Sequence, residues 1–201
     1  MSLMFSEQVI RYFSLSTAMR CRILPMPIDW CACWLAVLFC IGGVPSVYYG
    51  DEQGFRGRKE HREGGDDEIR PAFPASPAGL LPDGWRYYRL HQRLIGFRRR
   101  HPWLVRARTA AEHLEPSVLA LRLRGEGDRE QALLLLNAGD SEFRFAVDAG
   151  GLSVAETAEA KRGPVVSDPL LVPPHSWTIL RDERKIGLVQ HNRACRPRGR
   201  S

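Results

Sequence analysis

The sequence predicts an α/β portion followed by an all-β portion. Three observations carry this reading. An apolar run from Cys31 to Cys40 precedes the short β-prone stretch Ser46-Val47-Tyr48-Tyr49. From Trp85 to Arg100 the large apolar residues recur at helical spacing. Beyond Pro102 the period changes from helical to alternating, with turn residues between the runs. The alternating part is expected to form a small antiparallel β-sandwich.

A chain of 201 residues can bury a real core in one or two small domains. Hydrophobic residues make up 44% and charged residues 26%, the balance of a globular protein rather than a disordered one. The net charge is +6, with a pI near 9.4. Much of the excess sits in Arg98-Arg99-Arg100 and in the stretch from Arg193 to Arg200. Arginines in a last helical turn answer the helix dipole, and a basic end is read as solvated, so no nucleic-acid partner is assigned. The five cysteines (Cys21, Cys31, Cys33, Cys40 and Cys195) are odd in number and their C-x-C spacing fits no zinc site. They read as reduced thiols, and the protein as cytoplasmic, with no metal and no cofactor. The start of the chain lacks the apolar centre of a signal peptide. The run from Ile28 to Ile41 falls short of the ~20 residues that span a bilayer, which ranks a membrane anchor below a buried helix. The sequence assigns no oligomeric state.

The elements follow in order. Residues 1–30 show no sustained period and stay unassigned. Cys31 to Cys40 suits a buried helix, which Gly42-Gly43 stops. Ser46 to Tyr49 reads as a strand closed by Gly50. Asp51 to Gly84 is a long polar stretch, and Phe73, Leu80 and Leu81 favour an ordered loop packed on a scaffold. The helix from Trp85 to Arg100 buries Tyr87, Leu90, Leu94 and Phe97, is capped by Asp83, and ends at His101-Pro102. Ser117 to Arg124, Ala132 to Asn137, Phe143 to Val147 and Ser176 to Leu180 are the predicted strands. A basic tail, 182–201, loses the pattern and is read as disordered.

The segment from Gly43 through Pro45, Tyr48, Tyr49, Gly50, Asp51 and Glu52 to Gly54 is similar to the G-x-P-x-x-Y-Y-G-D-E-x-G segment of the α-amylase family of glycoside hydrolases. Gly64 to Pro74 resembles a loop of a bacterial branch of that family, and Arg98 to Leu104 resembles its R-R-x-H-P-x-L helix ending. The resemblance implies that residues 31–104 are the end of a (β/α)₈ barrel, with its eighth strand, loop and helix. It implies that residues 105–181 are the C-terminal β-sandwich. A whole barrel needs roughly 250 residues, so the barrel is expected to be incomplete here. Since a lone barrel strand and helix cannot bury their apolar faces, residues before about Pro82 are expected to be poorly ordered.

Retaining glycosidases need two carboxyl groups about 5–5.5 Å apart across the scissile bond. The resemblance implies catalytic acids on the fourth, fifth and seventh strands, yet no N-H-D and no R-x-D-x-x-x-H occurs in the chain. No catalytic residue is therefore assigned. Asp51 and Glu52 are adjacent, and at a strand end they would point to opposite sides. They read as capping or pairing groups, with Arg56, Arg62 or Arg70 as partners. Asp66, Asp67 and Arg70 are the candidate substrate-binding residues, since loops at the C-terminal face of a barrel build its active site. Trp85 or Tyr88 could stack on a sugar ring. Among the histidines, His91 reads as the packed edge of the helix, His101 as part of its stop, and His61 as a loop residue.

The function so implied is a truncated α-amylase-family protein, inactive alone. An α-glucan or α-glucoside is the partner only of the intact enzyme. A rearranged or frame-shifted gene start would account for the first thirty residues. The alternatives are a sugar-binding β-domain using Phe143, Phe145 and Trp177, or a basic membrane- or nucleic-acid-associated protein.

Overall fold

The computed structural model describes residues 28–57, 62–65, 67, 71–79, 84–127, 130–158 and 168–182. The expectations for residues 1–27, for the Asp83 cap, for Leu80, Leu81 and His61, and for the tail beyond 182 lie outside these residues. So do Cys21 and Cys195.

Two helices and seven strands make up the described fold. Helix α1 (Ile28–Cys40) begins three residues before its expected start, directly after Pro27. It buries Ala32, Ala36, Phe39 and Cys40, one stripe at helical spacing. Helix α2 (Gly84–Arg100) buries Tyr87, Leu90, Leu94 and Phe97 as expected, and adds His91 and Arg98 to the same face. The strands are β1 (Arg108–Leu114), β2 (Val118–Arg124), β3 (Gln131–Asn137), β4 (Phe143–Arg144), β5 (Leu152–Thr157), β6 (Leu171–Val172) and β7 (Ser176–Asp182). All pairings are antiparallel, in a five-stranded sheet of order β1-β2-β3-β7-β5 and a two-stranded ribbon, β4-β6.

The antiparallel sheet is as expected, but its cover is not a second sheet of similar size. In β3 every residue from Ala132 to Asn137 is buried, because both faces are packed. Ala132, Leu134 and Leu136 join Leu121, Leu123, Trp177 and Ile179 in a core shared with α1 and α2. Leu133 and Leu135 join Val118, Ala120, Leu180, Phe145 and Val172 beneath the β4-β6 ribbon. Alternate residues of one strand thus feed two cores, as the period of two dictates. The layers run helix pair, sheet, ribbon.

This arrangement gives α1 a cover that the sequence reading did not anticipate. Cys31, Cys33, Ala36, Phe39 and Cys40 are all nearly inaccessible, enclosed by α2 and by the sheet rather than by further barrel units. The core therefore runs through residue 104, where the predicted boundary between barrel and β-domain lies; Leu104 itself is fully buried.

The strand predicted at Ser46 to Tyr49 is corrected. Residues 44–48 carry no regular structure and enter neither sheet, and Val44, Val47, Tyr48 and Tyr49 are exposed. Strand propensity expresses packing against neighbouring strands, and none of the described strands lies beside this stretch.

Ion pairs tie the helix layer to the sheet. A β-bulge between Val154 and Glu156 shifts the register of β5 on β7. Glu156 accepts from Arg93 at 3.3 Å and from Arg100 at 3.0 Å, both on α2. Arg93 also donates to the Thr157 carbonyl and lies 5.9 Å from the centre of the Trp177 ring. At the far edge, Arg122 of β2 holds Glu112 of β1 in a bidentate pair at 2.8 and 2.7 Å.

Candidate functional site

The residues singled out by sequence lie between the end of α1 and the start of α2. Past Cys40 the chain turns through Gly42 and Gly43. A side chain at Gly42 would strike the Ala107 carbonyl, and Gly43 takes φ +97°, which disfavours any other residue. The Gly43 amide donates to the Val105 carbonyl at 2.9 Å, pinning this turn to the stretch after α2.

Arg98 closes the same turn from the other side. Its guanidinium donates to Phe39 O at 2.8 Å, to Ile41 O at 2.9 Å and to Gly43 O. These are the carbonyls that the end of α1 and the turn beyond it leave open. The arginines at the end of α2 were predicted to serve the dipole of their own helix. Arg98 instead caps the neighbouring one, and burial lowers the pKa of its guanidinium. The signal was present: of the three arginines, only Arg98 falls four residues after Leu94 and eight after Leu90, on the apolar stripe.

Asp51 and Glu52 do not end a strand. They open a 3₁₀ turn, Asp51–Gln53, between two left-handed glycines, Gly50 and Gly54. Glu52 accepts from the Gly50 amide at 2.9 Å and from the Gln53 side chain at 3.0 Å, a capping role that agrees with the sequence reading. Gly54 sits against the ring of Tyr87 on α2. A Cβ there would come within 2.5 Å of the ring, so this contact and φ +68° both call for glycine. Pro45 and Val47 line a groove of about 280 Å³ with Phe39, Ile95, Arg98 and Arg99, and no carboxylate lines it.

The exposed rings form two groups. Tyr48 and Tyr49 lie 4.8 Å apart, Tyr49 meets Phe73 at 5.7 Å, and Phe73 rests on the buried Phe55 at 5.2 Å. Trp85 and Tyr88 pack edge to face at 5.7 Å, both partly open to solvent. Asp67 is exposed in a turn, its amide donating to the Gly64 carbonyl at 3.0 Å. Asp66 and Arg70 lie outside the described residues.

Burial shifts the ionisation of four further groups. The Cys33 and Cys40 thiols are each pushed up to about 12, chiefly by desolvation, which holds them protonated and unreactive at neutral pH. The His91 and His101 imidazoles are pushed down, again chiefly by burial. Beyond α2, Phe145 and Trp177 are fully buried and Phe143 is half-buried, packed 4.8 Å from Phe145. The aromatic residues expected to mark a sugar-binding β-domain therefore serve as core. Among the described residues no helix is long and apolar enough to cross a membrane.

No family model matches the chain, and no curated protein matches it significantly. Solved structures do. The α-amylase from H. orenii superposes with a TM-score of 0.60 at 19% identity, over 78% of this chain and 36% of its own. Eubacterium rectale Amy13B gives 0.60 at 16% identity, over 84% of this chain and 37% of its own. A cyclic α-maltosyl-(1→6)-maltose hydrolase from Arthrobacter globiformis gives 0.51 at 22% identity, over 76% and 29%. The chain thus spans about a third of the length of the solved structures it matches. At 16 to 22% identity such likeness establishes the fold, and the fold is that of the C-terminal part of α-amylase-type enzymes.

Proposed function

We propose that these residues are the non-catalytic end of an α-amylase-type glycosidase. In this reading α1, the stretch from Gly42 to Gly79 and α2 correspond to the last part of its (β/α)₈ barrel, and β1–β7 to its C-terminal domain. One observation carries it. The Gly43 to Gly54 motif, the helix ending Arg98 to Leu104 and the antiparallel sheet follow one another in that order, within a fold shared with α-amylases. The intact enzyme would act on α-glucans or α-glucosides. These 201 residues hold none of the sequence patterns that carry the family's catalytic acids, and the groove beside α1 offers no carboxylate pair.

Two measurements test this. The purified chain is expected to release no reducing sugar from soluble starch, and no nitrophenol from p-nitrophenyl α-glucoside, above the uncatalysed rate. Turnover that survives repurification would overturn the reading. In an intact homologue carrying the same loop, we propose that Asp66, Asp67 and Arg70 line the sugar cleft, where a guanidinium can hold sugar hydroxyls in a fork. Arg70→Ala there is expected to weaken substrate affinity by about tenfold, the worth of one charge-assisted hydrogen bond. An unchanged affinity would leave Arg70 a loop-pinning residue.

A further inference from the structure

The described histidines fall into two kinds. His113 and His175 belong to the sheet and its turns, and each has Nε2 at 3.0 Å from a carboxylate, of Glu115 and Asp140 respectively. His91 and His101 belong to the helix layer, are 2% and 8% exposed, and have no carboxylate within hydrogen-bond reach among the described residues.

Both helix-layer rings are held alike. His91 Nδ1 lies 2.8 Å from the Tyr87 carbonyl, and His101 Nδ1 lies 2.7 Å from the Phe97 carbonyl, so each Nδ1 donates one turn back along α2. This fixes the neutral tautomer and leaves Nε2 with its lone pair. His91 Nε2 is buried without a partner among the described residues, and the ring stands perpendicular to Phe39 of α1 at 5.9 Å. The charged group that bears on it from a neighbouring element is Glu52, on the 3₁₀ turn. His101 lies 4.4 Å from the Phe97 ring and 6.5 Å from Trp103. Arg100 on α2, Arg181 on β7 and Glu156 on β5 bear on it, two cations against one anion.

We infer that α2 is an acid-operated latch: protonation of His91 and His101 loosens its hold on α1, while the five-stranded sheet stays intact. A proton on His91 creates a buried N–H with no acceptor among the described residues, and a proton on His101 adds a cation beside Arg100 and Arg181. Relief comes when the helix moves away and water reaches the rings. The sign follows from burial. Both imidazoles titrate below their ordinary 6.5 in the folded chain, so the unfolded chain binds the first protons. The stabilisation is complete above about pH 6.5 and fades as pH falls through that value towards the folded-state pKa.

Hydrogen exchange along the full chain, corrected for intrinsic rates, tests the latch between about pH 7 and about pH 5. Protection of α2 amides is expected to fall about tenfold relative to β3 amides as the pH falls. Asparagine keeps a donor near the position of Nδ1 and does not titrate. The double variant His91→Asn, His101→Asn is therefore expected to lose this relative change. Parallel loss of protection in α2 and β3, or an unaltered acid response in the double variant, would overturn the proposal. Should the variants fail to fold, NMR titration of the wild-type imidazoles decides alone. Resonances of His91 and His101 that titrate at about 6.5 or higher in the folded chain sink it; resonances that stay neutral to lower pH sustain it.

Discussion

Arg98→Ala is expected to destabilise the chain by about 3 kcal/mol, measured as a lower urea midpoint at unchanged slope. The side chain is 8% exposed and its guanidinium serves Phe39 O, Ile41 O and Gly43 O. Truncation removes the donors and leaves buried acceptors at the end of α1. The groove beside Arg98 lets water rehydrate some of them, which holds the cost below that of a sealed site. Two further variants divide the effect. Arg98→Met keeps most of the aliphatic stem, so it isolates the hydrogen bonds, at about 2 kcal/mol. Arg98→Lys keeps the charge but not the planar fork, and is expected to recover about half of the loss. Equal stability of the methionine variant and the wild type would show that packing, not capping, holds this turn.

Trp177→Ala is the second large effect, at about 3–5 kcal/mol. The ring is fully buried in β7, opposite Leu136 of β3, in the core shared with α1 and α2, and Arg93 approaches its face. Its loss opens a cavity where helix layer and sheet meet. Trp177→Phe is far milder, at about 1–2 kcal/mol, because the indole Nε1 has no hydrogen-bond partner among the described residues to lose. A phenylalanine variant as unstable as the alanine one would mean that the indole nitrogen is bonded after all. Chemical denaturation of both variants at one pH separates these outcomes.

Much of this fold was legible in the sequence, for identifiable reasons. Tyr87, Leu90, Leu94 and Phe97 announce α2 because a helix that buries one face must repeat every three to four residues. β2, β3 and β7 announce themselves through dense aliphatic runs. β1 and β5 do not. They are the edges of the sheet, they bear a half-buried mixture such as R-T-A-A-E-H-L, and bulges interrupt their register. β4 was read as the longer run Phe143 to Val147, of which only Phe143–Arg144 is paired, and β6, also two residues, is below what any period can reveal. The reading of Ser46 to Tyr49 as a strand failed for the opposite reason. Its propensity is strong, but a strand is a property of a pair, and one chain segment cannot state whether the other is present.

The candidate site was less legible than the fold. Gly50 was visible as a stop signal, and capping was one of two roles weighed for Glu52, beside pairing with a loop arginine. Arg98 was read as answering the dipole of its own helix, although its position on the stripe of Leu90 and Leu94 marked it as interior. His91 and His101 were placed correctly on the packed edge and at the helix stop, but nothing in a sequence says that a buried imidazole lacks a carboxylate. That is a fact about which side chains of β5, β7 and the 3₁₀ turn come near, and only the tertiary arrangement supplies it.

The two-sided burial of β3 has a consequence for how such a protein can be recombined. A gene junction placed after residue 104 would cut through one core, separating Leu134, Leu136 and Trp177 from the helices that cover them. Among the described residues, the helices and the sheet therefore have to be exchanged together. Any lineage that exchanged the sheet alone would have to rebuild the face opposite it, residue for residue.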